Sequence, residues 1–368
     1  MLNWLRKILL NPVMWASERF TSKPDKERIF SALGSLLDCI IKSEKKKGLV
    51  IPFDCTKEKF IIFSDHHKGA RNGADDFMLC ELNYLSALDF YFEKGYSYIA
   101  LGDCEELWEN MFLSVKKNQQ PAFEKEKKFA HANRFIKIIG NHDLYWKNDP
   151  LAFFQIREIY DMDVPIHEGV LLQTSVNNSQ LNIFCTHGHQ GDAVSDGNWF
   201  SKFFVSKIWA PLQSFLRINP NTPAYDASLK TTHNQMMYDW SAGQKNLLLI
   251  TGHTHQPVFE SLTHIERLYR SLLFARQMKD ESMIESLQKE IQLRKFEYTT
   301  ISPDYLKLKP SYFNTGCCCY NDGDITGIEI DEDCIRLIKW NSKGGKPVRM
   351  ILEEAALAEL LEAMANSH

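Results

Sequence analysis

The sequence lacks a framework of paired cysteines. Its nine cysteines stand at 39, 55, 80, 104, 185, 317, 318, 319 and 334. This odd number, without a C-x-x-C pair, argues against a disulfide scaffold or a zinc ribbon and for a reducing compartment. A surplus of positive charge is also missing. With 43 basic against 47 acidic side chains and a formal net charge of -4, the chain has no overall field to hold a nucleic-acid backbone, and no nucleic-acid partner is expected. No apolar run of about 18 residues occurs, so no bilayer-spanning helix is expected. The first residues have neither the apolar core nor the small-residue cleavage site of a signal peptide, and a cytoplasmic location is the expectation. There is no internal repeat. What is present is a chain of 368 residues, 44% hydrophobic and 24% charged, enough for one large domain with additions.

Residues 1–55 read as a helical, polar-rich N-terminal extension, and the run Lys45, Lys46 and Lys47 as a solvated face. Near its start, Leu, Trp and basic residues mix over Met1 to Trp15. Two readings stand for this stretch: a helix packed on the domain, or a peripheral membrane contact. From Lys59 short apolar runs are each followed at once by polar residues: "KFIIFSDHHKG", "YSYIALGDCEE", "RFIKIIGNHD", "LNIFCTHGHQGD" and "NLLLITGHTHQP". Runs of four to six apolar residues fit strands buried on both faces. Helix-like segments such as Asp75 to Lys94 and Asp149 to Tyr160 alternate with them, which predicts an α/β layered domain over residues 56–340. Helical insertions are expected at about 195–245, which is dense in Trp and Phe, and at 260–298, a surface hairpin turning near Lys279 and Asp280. Residues 341–368 read as a helical tail.

The strand ends carry the chemistry. Asp65 and His67 stand two apart after the first run, and in extended chain such side chains point the same way. Asp103 follows Gly102, Asn141 follows Gly140, His187 precedes Gly188, and His253 and His255 are again two apart. Two Asp, one Asn and four His make a mixed oxygen and nitrogen set, too large for one divalent metal and large enough for two. Asp103 is the candidate bridge, because a carboxylate has two oxygens. Ligands of open α/β sheets gather outside the carboxyl ends of strands, which is where all seven donors fall.

This ordered set resembles the calcineurin-like metallophosphoesterase superfamily over roughly residues 59–330. The resemblance implies a four-layer αββα sandwich with helical insertions. It also implies one metal held by Asp65, His67, Asp103 and His255, and a second held by Asp103, Asn141, His187 and His253. Manganese is the expected metal, with iron, zinc and magnesium as alternatives. The implied activity is hydrolysis of a phosphoester or pyrophosphate by metal-activated hydroxide attacking phosphorus in line. Asn141 brings a neutral oxygen that adds no negative charge where a phosphate must approach, and Gly140 is read as letting the backbone turn sharply. The resemblance assigns His142 to the phosphate or leaving group as electrostatic stabiliser and general acid, oriented by a carboxylate.

Within the superfamily, Gly102-Asp103-x-x-Glu106-x-Trp108 is similar to the motif of UDP-2,3-diacylglucosamine hydrolases, the pyrophosphatases of lipid A synthesis. Asp196 and the aromatic stretch with Phe204 and Trp209 are similar to the acyl-chain-binding insertion of those enzymes, so a lipid-linked substrate stands beside a phosphorylated small molecule. The stretch reads equally as a core-covering layer. His142 departs from this branch, which usually carries Arg there. Arg71 is a candidate substrate contact or a solvent-exposed residue, and Cys317, Cys318 and Cys319 read as a core strand without a neighbouring His. A non-catalytic platform on the same fold is the alternative of a different class.

Overall fold

The computed structural model describes residues 25–42, 47–73, 75–191, 227–294 and 308–366. The apolar runs form strands as their composition predicts. β2 (Phe60–Phe63), β3 (Ser97–Leu101) and β4 (Phe135–Ile138) lie parallel and side by side. β4 pairs onward with β5 (Ile166–His167), and β2 pairs on its other edge with β12 (Ile325–Asp331), which is followed outward by β13 (Cys334–Lys343) and β14 (Lys346–Ala356). A second sheet runs in the order β1 (Gly48–Pro52), β6 (Gly169–Val176), β7 (Ser179–Thr186), β8 (Leu247–Thr251), β11 (Tyr312–Asn314), β9 (Val258–Phe259) and β10 (Leu262–Thr263). Among the described residues, these are two seven-stranded sheets.

Alternation along the strands sends one set of side chains between the sheets and the other outward. Ile62, Ile99, Leu101 and Ile328 of the first sheet meet Leu172, Ile183, Leu248 and Ile250 of the second in one buried core. The outer face of the first sheet, with Ile61, Phe63 and Tyr98, is covered by α2 (Glu81–Glu93) and α4 (Gln120–His131). The outer face of the second, with Leu171, Phe184 and Leu249, is covered by α1 (Lys26–Ile41) and α7 (Ala227–Ala242). The architecture is an αββα sandwich. Short helices α3 (Phe112–Asn118), α5 (Tyr145–Asn148) and α6 (Ala152–Tyr160) share a satellite core.

Two boundaries differ from expectation. The helical extension through residue 55 does not hold for residues 48–52. They form β1, an edge strand parallel to β6, while α1 packs Ile29, Leu33 and Ile40 onto the same sheet. The helical tail from 341 is a strand to residue 356. Gly344 and Gly345, at φ 59° and 77°, turn β13 back into β14, the left-handed pair that a two-residue hairpin demands. Only α10 (Leu357–Asn366) is helical there, and it buries Leu357, Leu360 and Leu361 in the inter-sheet core.

The expected hairpin is present as α8 (His264–Met278) and α9 (Glu281–Arg294), with Lys279 left-handed between them. Thr263 and Glu266 form a capping box at the start of α8. Of the insertion expected at about 195–245, residues from 227 on are described, and α7 there belongs to an outer layer. Asp196, Phe204 and Trp209 lie outside the described residues. No described helix is long and apolar enough to cross a membrane.

Candidate metal centre

Three parallel strands of one sheet and three of the other end at a common edge. From the first sheet, β2 leads into Asp65 and His67, β3 into Asp103, and β4 into Asn141 and His142. From the second, β7 leads into His187 and β8 into His253 and His255, with β11 parallel alongside. The loops are laced together. The N–H of His67 donates to Asp103 O at 3.0 Å, that of His142 to Asp103 Oδ1 at 2.7 Å, and that of His253 to Asp65 Oδ2 at 2.9 Å.

The convergence does not come from extended alternation. Asp65, His67, Asp103, His253 and His255 all have φ between 49° and 69°, the left-handed region that non-glycine residues rarely enter and that costs about 1–3 kcal/mol each. A sharp left-handed bend after β2, β3 and β8 is what turns their side chains inward. The role of Gly140 also differs from expectation. It is not a left-handed turn residue; a Cβ there would stand 2.1 Å from Asp103 Oδ1. Its lack of a side chain lets the β4 loop approach that carboxylate, as Gly252 does for Asp65, where a Cβ would stand 2.3 Å from Oδ2.

Donor atoms meet at ligand spacing. His255 Nε2 lies 3.2 Å from both His67 Nε2 and Asp65 Oδ1. His187 Nε2 is 3.3 Å from Asp65 Oδ1 and 3.4 Å from Asp103 Oδ2, which is 3.9 Å from His67 Nε2. Donor atoms of Asp103, His187 and His253 fall within 4.8 Å of one another. Asn141 Oδ1 and His253 Nε2 are buried without a hydrogen-bond partner, which is costly unless something else satisfies them. Two buried carboxylates, imidazoles facing each other through Nε2, and two orphaned ligand atoms fit divalent cations.

Glu106 orders the imidazoles. Its Oε2 lies 3.0 Å from His67 Nδ1 and 2.6 Å from His142 Nδ1. Burial works against its charge, yet the His142 imidazole and hydrogen bonds from both rings hold its pKa well below the usual range. An ionised carboxylate only accepts, so both Nδ1 atoms carry protons and the lone pair of His67 is left on Nε2, toward the other donors. Burial likewise opposes charge on His142, but Glu106 and Asp103 outweigh it and hold its pKa up at about 9. Trp108 stacks on His142 with ring centroids 4.3 Å apart. Glu106→Gln leaves one carbonyl for two N–H donors. It is expected to cost about 10–100-fold in turnover and in metal affinity, read from initial rates and metal titrations; unchanged values would rule out this orienting role.

Beneath these loops lies a buried ionic network. Lys137 Nζ reaches Glu105 Oε1 at 2.9 Å, Lys68 reaches Glu126 Oε1 at 2.5 Å and Glu105 at 3.2 Å, and Trp146 Nε1 donates to Glu105 Oε2 at 2.8 Å. Tyr84 and Tyr160 hydroxyls complete Glu126. Removing one partner strands a charge in the interior, so Lys137→Met is expected to lower stability by about 3 kcal/mol. Urea unfolding at fixed metal concentration measures this, and a change under about 0.5 kcal/mol, typical of surface substitutions, would contradict it.

Arg71 stands apart in its pairing: its partly exposed guanidinium binds Glu81. The three consecutive cysteines are buried, but they do not form a strand. β11 ends at Asn314, and Cys317 to Cys319 lie in the following loop with Cys319 Sγ 3.6 Å from His255 Nδ1. The expectation that no His neighbours them is therefore corrected. Sequence reasoning also missed His189, whose Nδ1 is 3.0 Å from His187 Nδ1, and His233, whose ring centroid is 5.2 Å from that of His253. His189 repeats with His187 the two-apart spacing of His253 and His255, whereas His233 sits within α7 and carries no such signal.

A family model described as calcineurin-like phosphoesterase matches residues 58–257. Among solved structures, the chain is similar to vacuolar protein sorting 29 from Cryptosporidium parvum at 12% identity and a TM-score of 0.32, covering 81% of this chain and 98% of that one. A single mutant of Vps29 from Entamoeba histolytica matches at 11% identity and a TM-score of 0.30, covering 80% and 99%. A dimetal phosphatase from Danio rerio matches at 9% identity and a TM-score of 0.35, covering 82% and 98%. No curated protein matches the chain.

Proposed function

Because the chain belongs to the calcineurin-like phosphoesterase family, whose members are hydrolases that generally bind divalent metals, we propose that it hydrolyses a phosphoester or pyrophosphate at the convergent strand ends. The observation that carries this reading is the pair of buried, unpartnered ligand atoms, Asn141 Oδ1 and His253 Nε2, among carboxylates and imidazoles at ligand spacing. In this reading Asp65, His67, Asp103 and His255 would hold one ion, and Asp103, Asn141, His187 and His253 the other. Manganese is proposed for the Asn141 subsite. When bound, the ions supply Lewis-acid polarisation of the phosphoryl group and acidify an attacking water.

The residues of the chain do the rest. Glu106 holds His142 by Nδ1, which leaves Nε2–H free to donate to a phosphoryl or leaving-group oxygen. Trp108 fixes the ring plane and covers one of its faces. Asn141, being neutral, adds no repulsion to an incoming phosphate.

For the substrate, we propose a lipid-linked or nucleotide-sugar pyrophosphate of the diacylglucosamine type. In its favour are the Gly102-Asp103-x-x-Glu106-x-Trp108 motif and the exposed apolar side chains Met111, Leu113, Leu151, Phe153 and Phe154 on the segments that share the satellite core. Purified protein supplied with manganese should carry close to two metals per chain and act on one of three probes: a phosphomonoester, a phosphodiester or a nucleotide-sugar pyrophosphate. Cleavage of the pyrophosphate alone would support the substrate proposal. Two bound metals with no turnover of any probe, or no metal at all, would favour the non-catalytic platform.

A further inference from the structure

A thiol stands at the rim of the metal-ligand cluster. Cys319 Sγ is 3.6 Å from His255 Nδ1, and donor atoms of His67, His255 and Cys319 all fall within 4.8 Å of one another. Such spacing is close enough for one ion to gather all three with small side-chain adjustments. The approach is built by the fold. β11 runs parallel to β8, so its following loop emerges at the same edge as His253 and His255. The N–H of Cys318 donates to Asp65 O at 3.1 Å, which ties the cysteine loop to the β2 loop. Gly316, at φ 76°, makes the turn in a space where a Cβ would meet Thr326 Oγ1 at 2.1 Å. Cys318 faces the other way, into the core beneath α2 with Phe77 and Cys80.

We infer that Cys319 is a further, soft ligand of the subsite formed by His67 and His255, and that this subsite takes a thiophilic divalent ion such as zinc, iron(II) or cobalt(II) ahead of magnesium or manganese. Thiolate ligands select such ions, whereas carboxylate and amide oxygens suit harder ones. On binding, the S–H proton of Cys319 leaves to solvent and the sulfur lone pair forms the bond to the ion. The two subsites then differ in kind, one with sulfur beside its imidazoles and one with the Asn141 amide oxygen. This inference rests on the two-ion reading of the site.

The test uses the full chain, stripped of metal and titrated with cobalt(II) alone. Native protein should bind close to two equivalents and develop a near-ultraviolet thiolate-to-cobalt charge-transfer band. Cys319→Ser should bind cobalt with the visible d–d bands retained, yet lose the charge-transfer band. Cys317→Ser and Cys318→Ala should keep it. Zinc affinity of Cys319→Ser should fall by at least roughly tenfold, the lower end of what even an outer-shell partner costs, with manganese affinity unchanged. Circular dichroism establishes that each variant is folded. Two bound cobalt ions without the band in native protein would overturn the inference and leave Cys319 a hydrogen-bond neighbour of His255, with the two-ion reading intact. A band lost in Cys317→Ser but kept in Cys319→Ser would move the ligand to Cys317 and equally overturn it. Failure of the native chain to bind cobalt would instead reject the two-ion reading itself.

Discussion

Asp103→Ala is expected to abolish measurable turnover and to lower bound metal at both subsites at once. No other candidate ligand is shared between the two proposed sets. Its Oδ2 faces His187 and His67, while Oδ1 accepts the His142 N–H at 2.7 Å and so holds the β4 loop in place. Losing one charge-stabilising donor costs about 10²–10³ in turnover, and this substitution removes a ligand from each ion and a loop anchor together, so the loss should exceed that range. Asp103→Asn is the companion variant. Its amide oxygen can still accept from His142 N–H, so stability should change less than in the alanine variant while turnover is lost as fully. Metal analysis alongside initial rates at limiting manganese checks both variants, and near-native activity in either would show that Asp103 bridges nothing.

His142→Ala is expected to separate chemistry from metal binding. Because Nδ1 is committed to Glu106 and the seven proposed ligands are untouched, bound metal should stay close to the native value. Turnover should fall by about 10²–10⁴, the range associated with a positioned general acid. Glu106 still has His67 as a partner and Trp108 loses its stacked ring, so only a small loss of stability should accompany the change. Donor atoms of His67, Asp103 and His142 also lie within 4.8 Å of one another, which makes the metal measurement decisive: if occupancy collapses with activity, His142 is itself a ligand.

Much of this site is legible in the sequence because a strand buried on both faces has almost no freedom in composition. Runs such as Phe60 to Phe63 and Leu247 to Thr251 stand out, and the polar residues just beyond them are candidates by position alone. The α8–α9 hairpin is equally plain from its periodicity and from the break at Lys279. What stays hidden depends on partners far along the chain. β1 and β14 lie at sheet edges, where exposed faces dilute the apolar signal, and only the Gly344–Gly345 pair betrays the second. Glu106 sits in the Gly102-Asp103-x-x-Glu106-x-Trp108 motif, but its simultaneous hold on His67 and His142 needs three loops in place. The cysteine loop reads as strand because burial alone does not distinguish a buried loop from a buried strand.

The division of the donors between two sheets also bears on the order of events in folding. His67 and His255 touch across 188 positions of sequence, so the loop-closure entropy of that whole separation must be met before those two imidazoles face each other. The strand ends bearing Asp65, His67, Asp103 and Asn141 come from consecutive parallel strands and can assemble early. The histidines of the second sheet, and the loop after β11, arrive only once residues up to about 319 have been synthesised and docked. A nascent chain with only the first-sheet strand ends therefore holds three of the four ligands proposed for the first ion and two of the four for the second. Both coordination spheres are complete only in the finished domain, once His253 and His255 have docked.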